Sequence, residues 1–390
     1  MNYQSEYQLE QNLLTQLETL GYERVAITDE KGLLDNLKKQ LEKHNGHSYS
    51  EKEFAKILNH LNKGNVFDRA KTLRDRFSLK RDNGQTIWVQ FLNTEHWCRN
   101  EYQVTHQISQ EGSYKNRYDV TLLINGLPLV QIELKRRGLE LKEAFNQINR
   151  YQRHSFWSSN GLFQYVQLFV ISNGVNTKYY ANNRKQSFKQ TFFWADKENN
   201  IITDLNKFTD SFLEKCHVSK IICKYIVLHE SDKILMVLRP YQYYAVEALV
   251  DQVKHGRNNG YVWHTTGSGK TLTSFKAAQI LTHLPKVDKV MFVVDRADLD
   301  YQTTKEFNHF SPNCVDGTDN TRSLVKQMAD DTPLIVTTLQ KLNTALSKTH
   351  YSEKLQELAN KRVVFIFDEC HRSQFGDAHK RITGFFKRHQ

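Results

Sequence analysis

The chain has 390 residues, enough for two or three domains each with its own core and too many for a single small module. Its 54 basic against 43 acidic side chains give a net charge of +11 and a pI near 9.2, a balance that favours a polyanionic partner such as nucleic acid. No apolar run approaches the ~18 residues of a membrane span and the start Met1-Asn2-Tyr3-Gln4 is no secretory signal; with five scattered cysteines lacking C-x-x-C pairing, this points to reduced thiols and a cytoplasmic protein.

Along the chain, Ser5 can cap a first helix whose apolar stripe, Leu9, Leu13, Leu14, Leu17 and Leu20, ends at Gly21. Residues 31–80 are charged and helical in pattern. From Trp88 to Lys135 the pattern becomes strand-like, and Asn125-Gly126 marks a hairpin. A three-residue loop, 125–127, sets Ile124 against Pro128 and, counting back, Asp119 against Glu133. Lys135 then shares the face of Glu133, because strand side chains alternate. A one-residue change in loop length would shift that pairing.

Two carboxylates side by side repel each other unless a divalent cation neutralises them. Mg²⁺ at Asp119 and Glu133 can activate a water and stabilise charge developing on a phosphate, while Lys135 orients the water or steadies the pentavalent state. The chemistry is hydrolysis of a phosphodiester. Residues 139–153 predict a helix on which Gln147 and Tyr151, four apart, share a face beside the basic cluster Arg150, Arg153 and His154. An amphipathic hairpin with solvated charges beside an ordinary surface helix is the alternative.

Residues 164–171 read as a further strand, and a domain boundary is expected near residue 230. Beyond it strands and helices alternate, the rhythm of a doubly wound parallel sheet. Tyr261-Val262-Trp263 reads as a short strand leading into Gly267-Ser268-Gly269-Lys270-Thr271 and then a helix from Leu272. In such a loop Thr266 to Gly269 offer backbone N–H groups to the β-phosphate of a nucleoside triphosphate, Lys270 reaches the β and γ oxygens, and the Thr271 hydroxyl ligates Mg²⁺. A Gly/Ser turn that only caps a helix is the plainer reading. Val363 to Phe367 form a continuous β-branched and aromatic run, expected as a strand buried on both faces, and it ends in Asp368-Glu369. Acids at a strand's carboxyl end suit separate roles: Asp368 holds the water shell of Mg²⁺ and Glu369 orients or deprotonates the attacking water.

These residues resemble two known families. Leu238-Arg239-Pro240-Tyr241-Gln242, the Lys270 loop, Val293-Val294-Asp295-Arg296, Val336-Thr337-Thr338-Leu339-Gln340 and Asp368-Glu369-Cys370-His371 look like the ordered motifs of superfamily 2 helicases. By that resemblance Gln242 contacts adenine. Asp119…Glu133-x-Lys135 with Gln147-x-x-x-Tyr151 resembles PD-(D/E)xK nucleases of the RecB-like type, with Tyr118 where proline is frequent. A nuclease ahead of such a motor is similar to the restriction subunit, HsdR, of type I restriction-modification enzymes.

The resemblance implies an α/β chain in two parts. Residues 1–230 would hold a PD-(D/E)xK endonuclease domain, a mixed sheet flanked by helices, with its linker. Residues 231–390 would form the first RecA-like lobe, a doubly wound parallel sheet. It further implies a subunit that joins methyltransferase (M) and specificity (S) subunits, translocates double-stranded DNA using ATP, and cleaves unmodified DNA with Mg²⁺. Glu6 and Glu10, on one face of the first helix, would approach the nuclease metal. The expected second lobe is missing, so the chain reads as an amino-terminal piece with weak ATP binding and little turnover alone. Two other readings stay open: a repair or remodelling helicase whose front domain only binds DNA, and a docking piece without activity.

Overall fold

A computed structural model of the protein describes residues 5–111, 115–154, 156, 161–183, 186–256, 258–265, 267–294, 305–309, 321–352, 355–368 and 377–386. The chain divides into two compact units, Met1–Leu228 with Lys233–Pro240, and His229–Asp232 with Tyr241–Gln390.

The first unit is built on a six-stranded sheet. Helix α1 (Glu6–Thr19) is capped by Ser5, whose hydroxyl accepts from Gln8 N at 3.1 Å, and it buries Leu9, Leu13, Leu14 and Leu17 as their spacing requires. Strand β1 (Glu23–Arg24), helices α2 (Glu30–Asn45), α3 (Glu51–Leu61) and α4 (Val66–Thr72) follow. A ribbon of β2 (Arg76–Lys80) and β3 (Thr86–Gln90) comes next. The charged stretch up to residue 80 therefore ends in a strand. Its signal is faint because Leu79 alone in β2 is fully buried, so no alternation shows.

Strands β4 (Tyr102–Glu111), β5 (Lys115–Ile124) and β6 (Leu127–Leu134), helix α5 (Leu141–His154), and strands β7 (Leu168–Ser172) and β8 (Thr177–Ala181) complete the main sheet in the order β1-β4-β5-β6-β7-β8. The sheet is mixed: β1 with β4 and β6 with β7 run parallel, the other pairs antiparallel. Every residue of β6 and β7 is buried, as befits central strands. The strand expected from residue 164 begins only at Leu168, because Leu162–Tyr165 forms a 3₁₀ turn.

The hairpin turn corrects the expected loop. Asn125 (φ +50°) and Gly126 (φ +81°) are both left-handed and form a two-residue turn that pairs Ile124 with Leu127, not with Pro128. Leu123 then faces Pro128, and the register shifts so that Leu122 faces Val130, leaving Leu129 as the extra residue. Proline has no N–H for the ladder, so irregularity beside Pro128 costs little. The bulge restores the count by Val120 with Ile132, the last pair of the ladder, and Asp119 and Glu133 are the next residue on each strand.

Elements β9 (Trp194–Ala195), β10 (Ile201–Ile202), α6 (Leu205–Phe212), α7 (Lys215–Lys220), β11 (Val227–His229) and β12 (Ile234–Met236) lead to α8 (Pro240–His255). Cys98 and Cys216 are joined by a disulfide with Cα atoms 4.8 Å apart, which overturns the expectation of reduced thiols for this pair. The fold packs the turn Trp97–Arg99 against α7, a contact that 118 residues of sequence separation hide.

In the second unit, α9 (Lys270–Leu281) precedes β13 (Lys289–Val294), followed by β14 (Leu334–Thr338) and β15 (Val363–Phe367). These strands form a parallel sheet ordered β14-β13-β15, and the core lies between it and the helices Thr321–Ala329 and Leu339–Ser347 around Met291, Leu324, Met328, Ile335 and Leu342. Two expectations fail here. Strand β15 is only partly buried along its length, since it is an edge of the described sheet. Tyr261, Val262 and Trp263 form no strand and are 80, 40 and 89% exposed; three apolar residues with no ladder partner among the described residues cannot hold an extended register. No described helix is long and apolar enough to cross a membrane.

Candidate nuclease centre and phosphate-binding loop

Strands β5 and β6 bring Asp119, Glu133 and Lys135 together. Asp119 Oδ2 accepts from Leu134 N at 2.8 Å, so the backbone of β6 fixes the acid of β5. Lys135 Nζ lies 3.4 Å from Glu133 Oε1 and donates to Leu134 O at 2.8 Å. All three side chains are buried, Glu133 fully, and its Oε2 has no hydrogen-bond partner among the described residues. Burial first, then the neighbouring carboxylate of Asp119, holds Glu133 well above the usual carboxylate range; burial likewise raises Asp119 against the pull of Leu134 N–H and Lys135.

Helix α5 adds the expected pair. Gln147 Nε2 donates to the Tyr151 hydroxyl, which donates to Arg117 O at 2.9 Å and lies 3.4 Å from Glu133 Oε1. Sequence reasoning gave Tyr118 no role, yet its buried ring meets the Tyr151 ring edge-on at 4.8 Å and so holds that hydroxyl over Glu133. On its outer side α5 lines a cavity of about 230 Å³ with Asn146, Asn149, Arg150 and Arg153.

Helix α1 closes the centre. Glu6 Oε1 is 3.8 Å from Lys135 Nζ. Glu10 is 4% exposed and accepts from Gln107 Nε2 at 3.0 Å; burial and then Asp119 push its carboxyl up to about 7. Among the described residues no group of three or more His, Cys, Asp or Glu is placed to hold a metal on side chains alone. The donor set nonetheless fits Mg²⁺, which usually takes one or two carboxylates and keeps several waters. The unpartnered Glu133 Oε2 is the observation that favours it.

In the second unit Gly267 (φ +75°) and Gly269 (φ +79°) turn the chain into α9, leaving Lys270 and Thr271 in its first turn. The loop is braced from one side. Tyr241 OH donates to Ser268 O at 2.8 Å and Gln242 Nε2 to the same oxygen at 3.0 Å, so the Gln242 carboxamide holds the loop backbone. His264 Nδ1 is 3.1 Å from Ser268 Oγ, which donates to Thr265 O; burial and then Lys270 hold His264 below the usual histidine range. Strands β13, β14 and β15 end along one edge, with Val294 beside Thr338 and Asp368 directly after β15, its N–H on Val293 O at 2.9 Å. Thr266, Asp295, Arg296, Glu369, Cys370 and His371 lie outside the described residues.

Comparison with known proteins bears on both units. Residues 3–188 match the family described as type I restriction enzyme R protein N terminus, and residues 241–390 that described as SWI2/SNF2 ATPase. The whole chain is 52% identical to the type I restriction enzyme SsaAORF53P endonuclease subunit of Staphylococcus saprophyticus and 51% identical to the SauMRSORF196P endonuclease subunit of Staphylococcus aureus. It spans 42% of the length of each. It is 40% identical to the type I restriction enzyme EcoprrI endonuclease subunit of Escherichia coli, over 65% of this chain and 83% of that sequence. A nuclease-like centre followed by a phosphate-loop unit, matched along the full chain in this order, shows that the protein belongs to the family of type I restriction enzyme endonuclease subunits.

Proposed function

We propose that the protein is the restriction subunit of a type I complex, acting in the cytoplasm with methyltransferase and specificity subunits. It would cleave unmodified double-stranded DNA at the Asp119–Glu133–Lys135 centre and move along it by ATP hydrolysis at the Lys270 loop. The observation that carries the reading is the convergence of Asp119, Glu133 and Lys135 with the Gln147–Tyr151 pair on one buried patch.

Placement supports the proposed roles. Asp119 is held by Leu134 N–H through Oδ2, and Glu133 beside it is fully buried with an Oε2 that has no hydrogen-bond partner among the described residues. A bound Mg²⁺ supplies the positive charge these acids lack and lowers the pKa of a water beside the phosphate. Lys135, steadied by Leu134 O and Glu133, offers its ammonium to charge gathering on the phosphoryl oxygens as the water oxygen bonds to phosphorus and the ester oxygen leaves. Gln147 and Tyr151 fix Glu133 from the helix side. In the motor unit, backbone N–H groups at the start of α9 suit an ATP phosphate, Lys270 its β and γ oxygens, and Thr271 and Asp368 the accompanying Mg²⁺.

The test is cleavage of an unmodified plasmid by the intact subunit assembled with its cognate M and S subunits, with and without ATP, beside Lys135→Ala and Lys270→Ala. Cutting that needs ATP and Mg²⁺ and disappears in both variants is the expected result. ATP consumption with no cutting by any of the three would replace this reading with a helicase whose front domain only binds DNA.

A further inference from the structure

The ladder between β4 and β5 keeps one register, Thr105 on Thr121, His106 on Val120 and Ile108 on Tyr118, yet the pair that lies between the last two, Gln107 with Asp119, is missing from it. The cause is Gln107, whose φ of +55° is left-handed in the middle of a strand. Such a conformation costs a non-glycine residue about 1–3 kcal/mol and persists where the surroundings enforce it, often at functional sites.

The twist has two effects. Asp119 drops out of the ladder on the β4 side, and its carboxylate is held by Leu134 N–H on the β6 side. The Gln107 carboxamide turns to α1, where Nε2 donates to Glu10 Oε1 at 3.0 Å. Glu10 is an acid buried on a helix face otherwise made of Leu9, Leu13, Leu14 and Leu17, a position that burial alone disfavours. Charge counting gives it a use. Were all three ionised with a cation bound, Asp119, Glu133 and Glu10 against Lys135 would leave two negative charges, and Glu6 and Arg117, which also face Glu10, would offset each other. Two negative charges match one divalent cation, and Glu133 is fully buried with an Oε2 that has no hydrogen-bond partner among the described residues.

We propose that Gln107 is a positioning residue of the nuclease centre: its amide holds Glu10 beside Asp119, so that a third carboxylate raises the affinity for the divalent cation without ligating it. This rests on the nuclease reading above. The test uses the intact subunit with its partner subunits in four forms, wild type, Gln107→Leu, Glu10→Gln and the double variant. The readouts are the Mg²⁺ concentration for half-maximal cleavage and the Kd of Ca²⁺ by calorimetry, with ATP hydrolysis as the folding control.

Each single variant should raise both metal readings about tenfold, the worth of one charge-assisted hydrogen bond. The double variant should be no worse than Glu10→Gln, because Gln107 acts through Glu10. Gln107→Gly, which relaxes the backbone but lacks the amide, should show the same metal defect without loss of stability. Unchanged metal readings in Gln107→Leu, or additive losses in the double variant, would overturn the proposal. If the wild type does not cleave, the nuclease reading fails, and the Ca²⁺ titration still decides the role of Gln107.

Discussion

The Tyr151 hydroxyl lies 3.4 Å from Glu133 Oε1 while donating to Arg117 O at 2.9 Å, so one group ties α5 to both β5 and β6. Tyr151→Phe keeps the ring against Tyr118 and removes only the hydroxyl. A net hydrogen bond is worth about 1 kcal/mol, so chemical denaturation should show a loss of that order. Cleavage should fall about fivefold, because about 1.4 kcal/mol off transition-state stabilisation is a factor of ten. Full activity in this variant would remove Tyr151 from the centre.

The acids set a pH dependence. Asp119, Glu133 and Glu10 all have folded-state pKa values raised by burial, so the folded chain binds more protons than the unfolded one between the ordinary carboxylate range and the raised values. Their contribution is therefore present at low pH and lost as pH rises, for Glu10 over the window from its ordinary 4.5 to about 7. Glu10 is faced by Asp119 and Glu6, which raise it, and by Gln107 and Arg117, which lower it. In thermal melts without divalent cations, Glu10→Gln should gain stability relative to wild type as pH rises from about 5 to about 8. Added Ca²⁺ should stabilise the wild type more at the upper end of that range than at the lower.

Gly126 is held at φ +81°, and a Cβ there would meet the Leu37 Cα of α2 at 2.8 Å. Gly126→Ala strains the turn and pushes on backbone, so a destabilisation of roughly 2 kcal/mol or more is expected. Circular dichroism melts would reveal it. The register from Leu122 to Asp119 depends on this turn, so cleavage should decline with stability.

In the phosphate loop, a Cβ on Gly269 (φ +79°) would stand 2.5 Å from Gln242 Nε2. Gly269→Ala should displace the carboxamide that holds Ser268 O and lower ATP affinity, read as loss of the thermal shift that ATP produces. Cation binding at the nuclease centre should stay unchanged.

The cavity on the outer side of α5, lined by Asn146, Asn149, Arg150 and Arg153, offers amide and guanidinium donors to a phosphate backbone and, among the described residues that line it, no acid to repel it. Replacing Arg150 and Arg153 by alanine should weaken binding to duplexes of any sequence. The slope of log affinity against log salt should shrink by about 0.9 for each phosphate that is no longer neutralised. An unchanged slope would take this face out of the DNA path.

The sequence by itself determined what depends on neighbours in the chain. Ser5 and the leucine spacing specify α1, Asn125-Gly126 specifies a turn, the alternation around Glu133 and Lys135 puts both on one face, and Gly267 to Thr271 opens a helix. These are short-range effects of dihedral preference, hydrogen-bond capping and side-chain period. Tertiary structure decided what depends on residues far apart. The two-residue turn alone would have put the strands out of register, and the bulge at Leu129 corrects it because Pro128 cannot complete the ladder. Tyr118 under Tyr151, the left-handed Gln107 turned to Glu10 and Cys98 against Cys216 carry no local signal. Each arises where packing of distant segments overrides the preference of the segment itself, and the raised carboxyls of the centre follow from the same burial.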